Sequence, residues 1–137
     1  MADLTITATS VIPGSDAQIT RGVAGATITA GMVLYIDTAN SNVLKAADAN
    51  STALTATVCG IAINGGNTGQ YIYYQTAGTI TIGATVAAGK PYVASATAGL
   101  IAAGADLTTG WYASYLGYAT TTGILNLQIN NTGIVVA

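Results

Sequence analysis

Apolar and polar residues alternate in short runs along this chain, and Gly or Asn interrupts the runs every 6 to 12 residues. A period of two marks a strand with one buried face. Evenly spaced turn signals between short strands mark an all-β domain. The pattern predicts strands over Leu4–Thr9, Ala26–Thr29, Met32–Asp37, Asn42–Lys45, Ala56–Ile63, Gln70–Thr76 and Thr79–Ile82. It continues with Lys90–Ser95, Gly99–Ala102, Tyr112–Ala119, Ile124–Ile129 and Gly133–Val136. The DTANSN stretch from Asp37 reads as a hairpin loop. Asx side chains suit such loops because they can hydrogen-bond nearby backbone. Helix signals are poor, and only Ala46–Leu54 and Ala103–Thr109 have the composition for a helical turn each.

The pattern also repeats at long range. ATITAGMVLYID from Ala26 aligns with ATVAAGKPYVAS from Ala84, an offset of 58, and VCGIA from Val58 aligns with YLGYA from Tyr115, an offset of 57. Each copy reads as a short strand, an Ala-Gly turn, a longer strand, a hairpin, and a strand broken by Gly60 or Gly117. Two copies of this length predict a duplicated β unit closing one barrel or sandwich. Gly inside a strand often marks a bulge or bend, the device by which small barrels turn corners. Residues 1–25 fall outside the repeat and contain Pro13-Gly14. They are expected to form an extended N-terminal arm, with a β-domain over 26–137 divided near 26–83 and 84–137. An isolated strand cannot satisfy its own backbone N–H and C=O groups. The arm must pair with this domain's own sheet edge, a sister subunit or another partner, and Leu4, Ile6 and Ile12 are its candidate interface residues.

Composition narrows the function. The chain has 137 residues, enough for one domain. Charged residues make up 6% of it, against about 25% in an average soluble domain. The net charge is −2, with Arg21, Lys45 and Lys90 as scattered cations. Nucleic-acid binding needs a basic stripe that displaces counterions, so it is not expected. A surface of hydroxyls and amides puts little repulsion between copies and permits crowded assembly. The opening MADLTITATS lacks a basic stretch followed by an apolar run, so no secretory leader is expected. The apolar stretch from Ala84 to Ala105 contains Lys90, Pro91 and several glycines. It reads as strands and turns, and no membrane span is expected.

The inventory for chemistry is thin. There is no His and no Glu, and the acids Asp3, Asp16, Asp37, Asp48 and Asp106 are dispersed. A Ser-His pair and imidazole metal ligation are excluded, and a working carboxylate pair is not expected. Asp37, Asn40 and Asn42 lack the spacing of a calcium loop. Gly65, Gly66 and Gly69 are not followed by Lys-Ser or Lys-Thr, so they do not make a phosphate loop. No cofactor and no enzymatic activity are expected. Cys59 is the single cysteine. It aligns with the apolar position Leu116 and is expected to be buried and inert. Trp111, Tyr112, Tyr115 and Tyr118 concentrate four of the nine aromatic residues on one stretch. Alternation puts Trp111 and Tyr115 on one face, with Tyr112 and Tyr118 on the other. One face suits a core and the other an interface or a carbohydrate platform, because these side chains join large contact area to a polar tip.

The runs KAADANSTALTATVCGIAINGGNTGQ over 45–70 and GTITIGATVAAGKPYVASATAGLIA over 78–102, with WYASYLGYATT further on, resemble the capsid cement (decoration) proteins of tailed phages. The likeness covers most of residues 26–137 and rests on turns and core strands. It implies a β-barrel or β-tulip-like module, often a homotrimer, bound outside a shell of major capsid protein. It implies a virion location after assembly in the host cytoplasm, and no catalytic residues. The competing expectation is an adhesin or carbohydrate-binding β-module that contacts glycan through its Tyr/Trp strand.

Overall fold

A computed structural model describes residues 3–137. Ten strands are found among them: β1 (Ile12–Pro13), β2 (Gln18–Val23), β3 (Val33–Asp37), β4 (Val43–Ala46), β5 (Val58–Ala62), β6 (Tyr71–Thr81), β7 (Pro91–Ala94), β8 (Ile101–Ala103), β9 (Tyr112–Ala119) and β10 (Ile124–Val135). Helix is confined to two single turns, Ala8–Ser10 and Gly104–Asp106. The second falls inside the stretch Ala103–Thr109. The turn expected within Ala46–Leu54 does not form a helix. The protein is all-β.

The strands make one antiparallel sheet in the order β4-β3-β5-β6-β10-β9-β7-β8, and β1 and β2 add to β6. The two halves of this order are the same figure. In each, a hairpin (β3–β4 or β7–β8) is followed by a strand that pairs with the hairpin's first member, and then by a long strand beside that. The two similar units meet where β6 pairs with β10, from Ile124↔Thr81 to Gln128↔Ala77.

The sequence repeat corresponds to repeated geometry. Gly31 and Gly89, with φ of +92° and +80°, close equivalent Ala-Gly turns. Gly31 donates to the Ala62 carbonyl at 2.8 Å and Gly89 to the Ala119 carbonyl at 2.7 Å. The strand glycines are also equivalent. Leu34 pairs with Gly60 and Tyr35 with Val58, which leaves Cys59 as an extra, bulged residue. Tyr92 pairs with Gly117 and Val93 with Tyr115, which bulges Leu116 in the same way. A bulge bends the strand and increases its twist, so the sheet curls at the same place in both units. A Cβ at Gly60 would lie 2.5 Å from the Gln75 carbonyl oxygen, and one at Gly117 would lie 2.0 Å from that of Asn126. These are distances only a glycine tolerates.

The curl brings the ends of the sheet together. Val33 donates to Gly99 at 3.0 Å, Gly99 to Ala47 at 2.8 Å and Ala49 to Ser95 at 3.0 Å, so the segment after β4 is laced to the β7–β8 hairpin. On another side, the Asn131 side chain accepts from the Val58 N–H and donates to the Val58 carbonyl, both at 2.9 Å. The result is a half-barrel filled by one main core from both units, including Val33, Ile61, Ile80, Val93, Ile101, Leu116, Leu125 and Leu127. A smaller core lies against β3, β5 and β6 of the first unit, where Ala24 and Ile28 cover Leu34, Ala62, Ile72 and Tyr74.

Several expectations require correction. The N-terminal segment is not an extended arm: its described residues lie against the chain's own sheet, and positions 1–2 are outside the described residues. Leu4–Thr9 is not a strand. Leu4 donates to Ile101 and Thr7 to Gly83, and the chain then turns through Ala8–Ser10. The strand in this region is instead Gln18–Val23, paired with Tyr71–Ala77 of β6. Ala26–Thr29 forms only a bridge, Ile28↔Gly66. The two strands expected over 70–82 are one strand, β6, bent at Gly78. Those expected at 124–129 and 133–136 are likewise one, β10.

Candidate interaction surfaces

Four of the five acids are engaged in structural bonds. The Asp16 carboxylate accepts from the Thr79 N–H at 2.9 Å and hydroxyl at 2.7 Å, and these bonds hold it below the usual carboxylate range. Asp37 pairs with Lys45 at 2.9 Å, and this partner raises the lysine. Asp3 accepts from the Ser95 hydroxyl, and Asp48 accepts from the Asn50 N–H at 3.0 Å. Beside hydroxyls and amides, the surface carries apolar and aromatic side chains.

One such surface is on β2 and β6. Antiparallel register places Arg21 opposite Tyr73 and Val23 opposite Tyr71. Alternation puts Ile19, Arg21, Val23, Tyr71 and Tyr73 on one face of this two-stranded ribbon. The four large apolar members are 46%, 37%, 60% and 45% exposed for Ile19, Val23, Tyr71 and Tyr73. The Arg21 guanidinium lies 4.4 Å from the Tyr71 ring centroid, a cation–π contact that braces the ring.

The opposite face of the ribbon looks onto a pocket of about 530 Å³. Its floor is the uncovered end of the smaller core: Ile36, Leu44, Cys59 and Tyr74. Its walls are β2 at Arg21 and Gly22, the hairpin loop at Thr38 and Asn42, and the segment from Leu54 to Val58. Cys59 is half-buried in this wall, and burial pushes its thiol up to about 12. Desolvation also raises Tyr74. Cys59 was expected to be buried, but it is half-buried and lines the pocket, whereas its counterpart Leu116 is fully buried in the main core. A second pocket of about 390 Å³ lies beside β7 and β8, between Lys90, Tyr92 and Ala105.

The residues singled out from sequence are scattered by the fold. Trp111 is a core residue, 5% exposed, and so offers no surface. Leu4 and Ile6 are half-buried against the main core. Tyr115 packs on that core too, and Tyr112 is half-buried. The bulge at Leu116 shifts the alternation, so Tyr118 does not follow the parity read from Tyr112. Its hydroxyl accepts from the Asn126 amide at 3.0 Å, and its ring is exposed. Ile12 is exposed, paired through β1 to Thr81. Sequence reasoning missed Ile19, Val23, Tyr71 and Tyr73 as a set. The alternating Ile19-x-Arg21-x-Val23 was the available signal.

No helix among the described residues is long and apolar enough to cross a membrane. Comparison with protein-family models, with characterised proteins and with solved structures gives no match.

Proposed function

We propose that this chain is a structural virion protein of the capsid cement type, which binds the outside of a shell of major capsid protein as a homotrimer and stabilises it. The observation that carries this reading is the exposed ribbon of Ile19, Val23, Tyr71 and Tyr73 on a domain of very low charge. Aromatic residues on a braced strand are the usual anchors of protein interfaces. The sequence resemblance supplies the shell as partner. Weak contacts made by each subunit of a trimer add through effective concentration, so no single subunit needs high affinity. Neither a cofactor nor nucleic acid enters the proposal. The exposed Tyr71 and Tyr73 rings also favour a second reading, an adhesin or glycan-binding module.

The test is binding to emptied, expanded capsids of a tailed phage host system, beside binding to cell-surface polysaccharide. The wild-type chain is expected to bind shells, and Tyr71→Ala/Tyr73→Ala to bind them roughly tenfold or more weakly. Wild-type chain that ignores shells but binds polysaccharide would replace the cement reading with the adhesin one. Undiminished shell binding by the double variant would remove the ribbon from the interface.

A further inference from the structure

Asn64 lies in the bend that follows β5, and it is the only asparagine of this chain followed by glycine. Glycine matters at that position because no Cβ crowds its backbone nitrogen and its backbone turns freely. The fold adds three features that the dipeptide alone does not supply. The Asn64 Oδ1 accepts from the Tyr73 N–H at 2.6 Å. The Asn64 Nδ2 donates to the Gly65 carbonyl at 3.4 Å, so the side-chain amide is folded over the residue that follows it. Among the described residues the Gly65 N–H has no hydrogen-bond partner, whereas Ile63 donates to Tyr73 at 3.0 Å and Gly66 to Ile28 at 2.9 Å. Gly65 is also exposed, and so open to water.

These are the parts of an acyl transfer within the chain: an amide carbon, an uncommitted nitrogen beside it, and a donor on the oxygen. A fixed N–H aimed at a carbonyl oxygen stabilises the charge that grows there during attack at the carbon. We propose that Asn64-Gly65 is a self-modifying site, where the Gly65 nitrogen attacks the Asn64 side-chain carbon and water completes the conversion of Asn64 to aspartate and isoaspartate. Hydroxide removes the Gly65 N–H proton, and the freed electron pair forms a bond to Cγ. The charge on Oδ1 then collapses, the Cγ–Nδ2 bond breaks, and the nitrogen leaves as ammonia with a proton from water. A cyclic imide remains. Water opens it at Cγ to give aspartate, or at the main-chain carbonyl to give isoaspartate, whose backbone runs through the former side chain. One water is consumed and one ammonia released, with no cofactor. The two products differ in consequence. Aspartate keeps an acceptor for the Tyr73 N–H. Isoaspartate adds a methylene to the backbone just before Gly66, whose carbonyl and N–H hold Ile28 at 2.8 and 2.9 Å over the smaller core. The site is independent of what the ribbon of Tyr71 and Tyr73 binds.

The experiment holds the full chain in mild alkali and reads timed digests by mass spectrometry, with isoaspartyl methyltransferase labelling to score the isomer. Asn40 and Asn50, exposed and each followed by serine, are internal standards. The Asn64 peptide is expected to convert roughly tenfold or more faster than either, with both isomers formed. The folded chain is expected to convert Asn64 at least as fast as the chain unfolded in urea, because the Tyr73 donor is present only in the fold. Gly65→Ala, whose Cβ would lie 3.1 Å from the Ile28 carbonyl oxygen, is expected to slow conversion and leave the circular dichroism unchanged. The isoaspartyl form, separated from the unmodified chain by its added charge, is expected to melt below Asn64→Asp. The proposal is overturned if Asn64 converts no faster than Asn40 and Asn50, or if aspartate forms without isoaspartate. It is also overturned if the folded chain is stable while the unfolded one converts, since the Tyr73 bond then holds the side chain away from Gly65. An isoaspartyl form that melts with Asn64→Asp overturns the loosening of Ile28.

Discussion

Replacing Asn131 tests how the half-barrel is closed. Its side-chain amide occupies the position of a strand neighbour to Val58, with one hydrogen bond to the N–H and one to the carbonyl, each 2.9 Å. Val58 is 3% exposed, so its backbone groups have little access to water. A typical hydrogen bond contributes about 0.5–1.5 kcal/mol net. Asn131→Ala removes two and is expected to cost about 1–3 kcal/mol, or roughly 3–5 °C of melting temperature per kcal/mol for a chain of this size. Asn131→Asp has nearly the same shape but a different pH response. Its carboxylate can accept from the Val58 N–H, yet it faces the Val58 carbonyl with a second acceptor. Only the protonated acid restores the donor. The folded state therefore favours the protonated form and raises this carboxyl above its unfolded value of about 3.9. With that sign, the stabilising contribution is present below the unfolded pKa and is lost as pH rises through the folded one. Thermal melts of wild type, Asn131→Ala and Asn131→Asp at about pH 7 and about pH 3 measure it, with the Ala variant cancelling titration elsewhere. Asn131→Asp should fall at or below Asn131→Ala at the higher pH and above it at the lower. If the two variants track each other across the range, Asn131 does not bridge the sheet.

Gly117→Ala places a Cβ 2.0 Å from the Asn126 carbonyl oxygen at a residue with φ of +149°, and the obstacle is backbone that cannot rotate away. It is expected to cost upward of about 3 kcal/mol or to prevent folding, and a urea titration showing less than about 1 kcal/mol would contradict the close approach of β9 and β10. Cys59, with its thiol pushed up to about 12 from 9.0, should hold roughly a thousandfold less thiolate at neutral pH than a free thiol. Labelling by iodoacetamide should be correspondingly slow and should speed up about tenfold per pH unit in mild alkali; rapid labelling of the native protein at neutral pH would place this thiol outside the shielded wall.

The fold was legible where local chemistry and tertiary geometry agree. The Ala-Gly turns at Gly31 and Gly89 demand a positive φ that the sequence advertises. Gly60 and Gly117 interrupt apolar strands where only a bulge makes sense of a glycine. Because both signals recur at offsets of 57 and 58, the two similar units could be read before any pairing was known. What failed was local propensity without a partner. LTITAT at Leu4 alternates like a strand, yet the segment makes only separate single bonds, to Ile101 at the sheet's last strand and to Gly83, and forms no ladder. QITRGV at Gln18 looks weaker, with Arg and Gly inside it, and becomes a strand because β6 is long enough to accept it. At Gln18 strand formation is decided by the partner that β6 offers, and that is a property of the whole sheet.

The same argument explains why the interaction surface was misplaced. Aromatic clustering drew attention to Trp111–Tyr118, but a Trp beside alternating small residues is what a small-residue protein needs to fill its core, and Trp111 does this. Tyr71 and Tyr73 stand one turn of alternation from Ile72 and Tyr74, and sequence assigns neither pair to the outside. Only the strand on the far side decides it. Ile72 and Tyr74 face Ala24, Ile28 and Leu44, which close over them from earlier in the chain, so Tyr71 and Tyr73 are left with Ile19, Arg21 and Val23 in the open. The N-terminal segment thus shapes the contact surface in a way different from the expected arm. By pairing with β6 it turns two tyrosines outward, and by joining β4 only at the Ala24↔Leu44 bridge it leaves the pocket open on the other side.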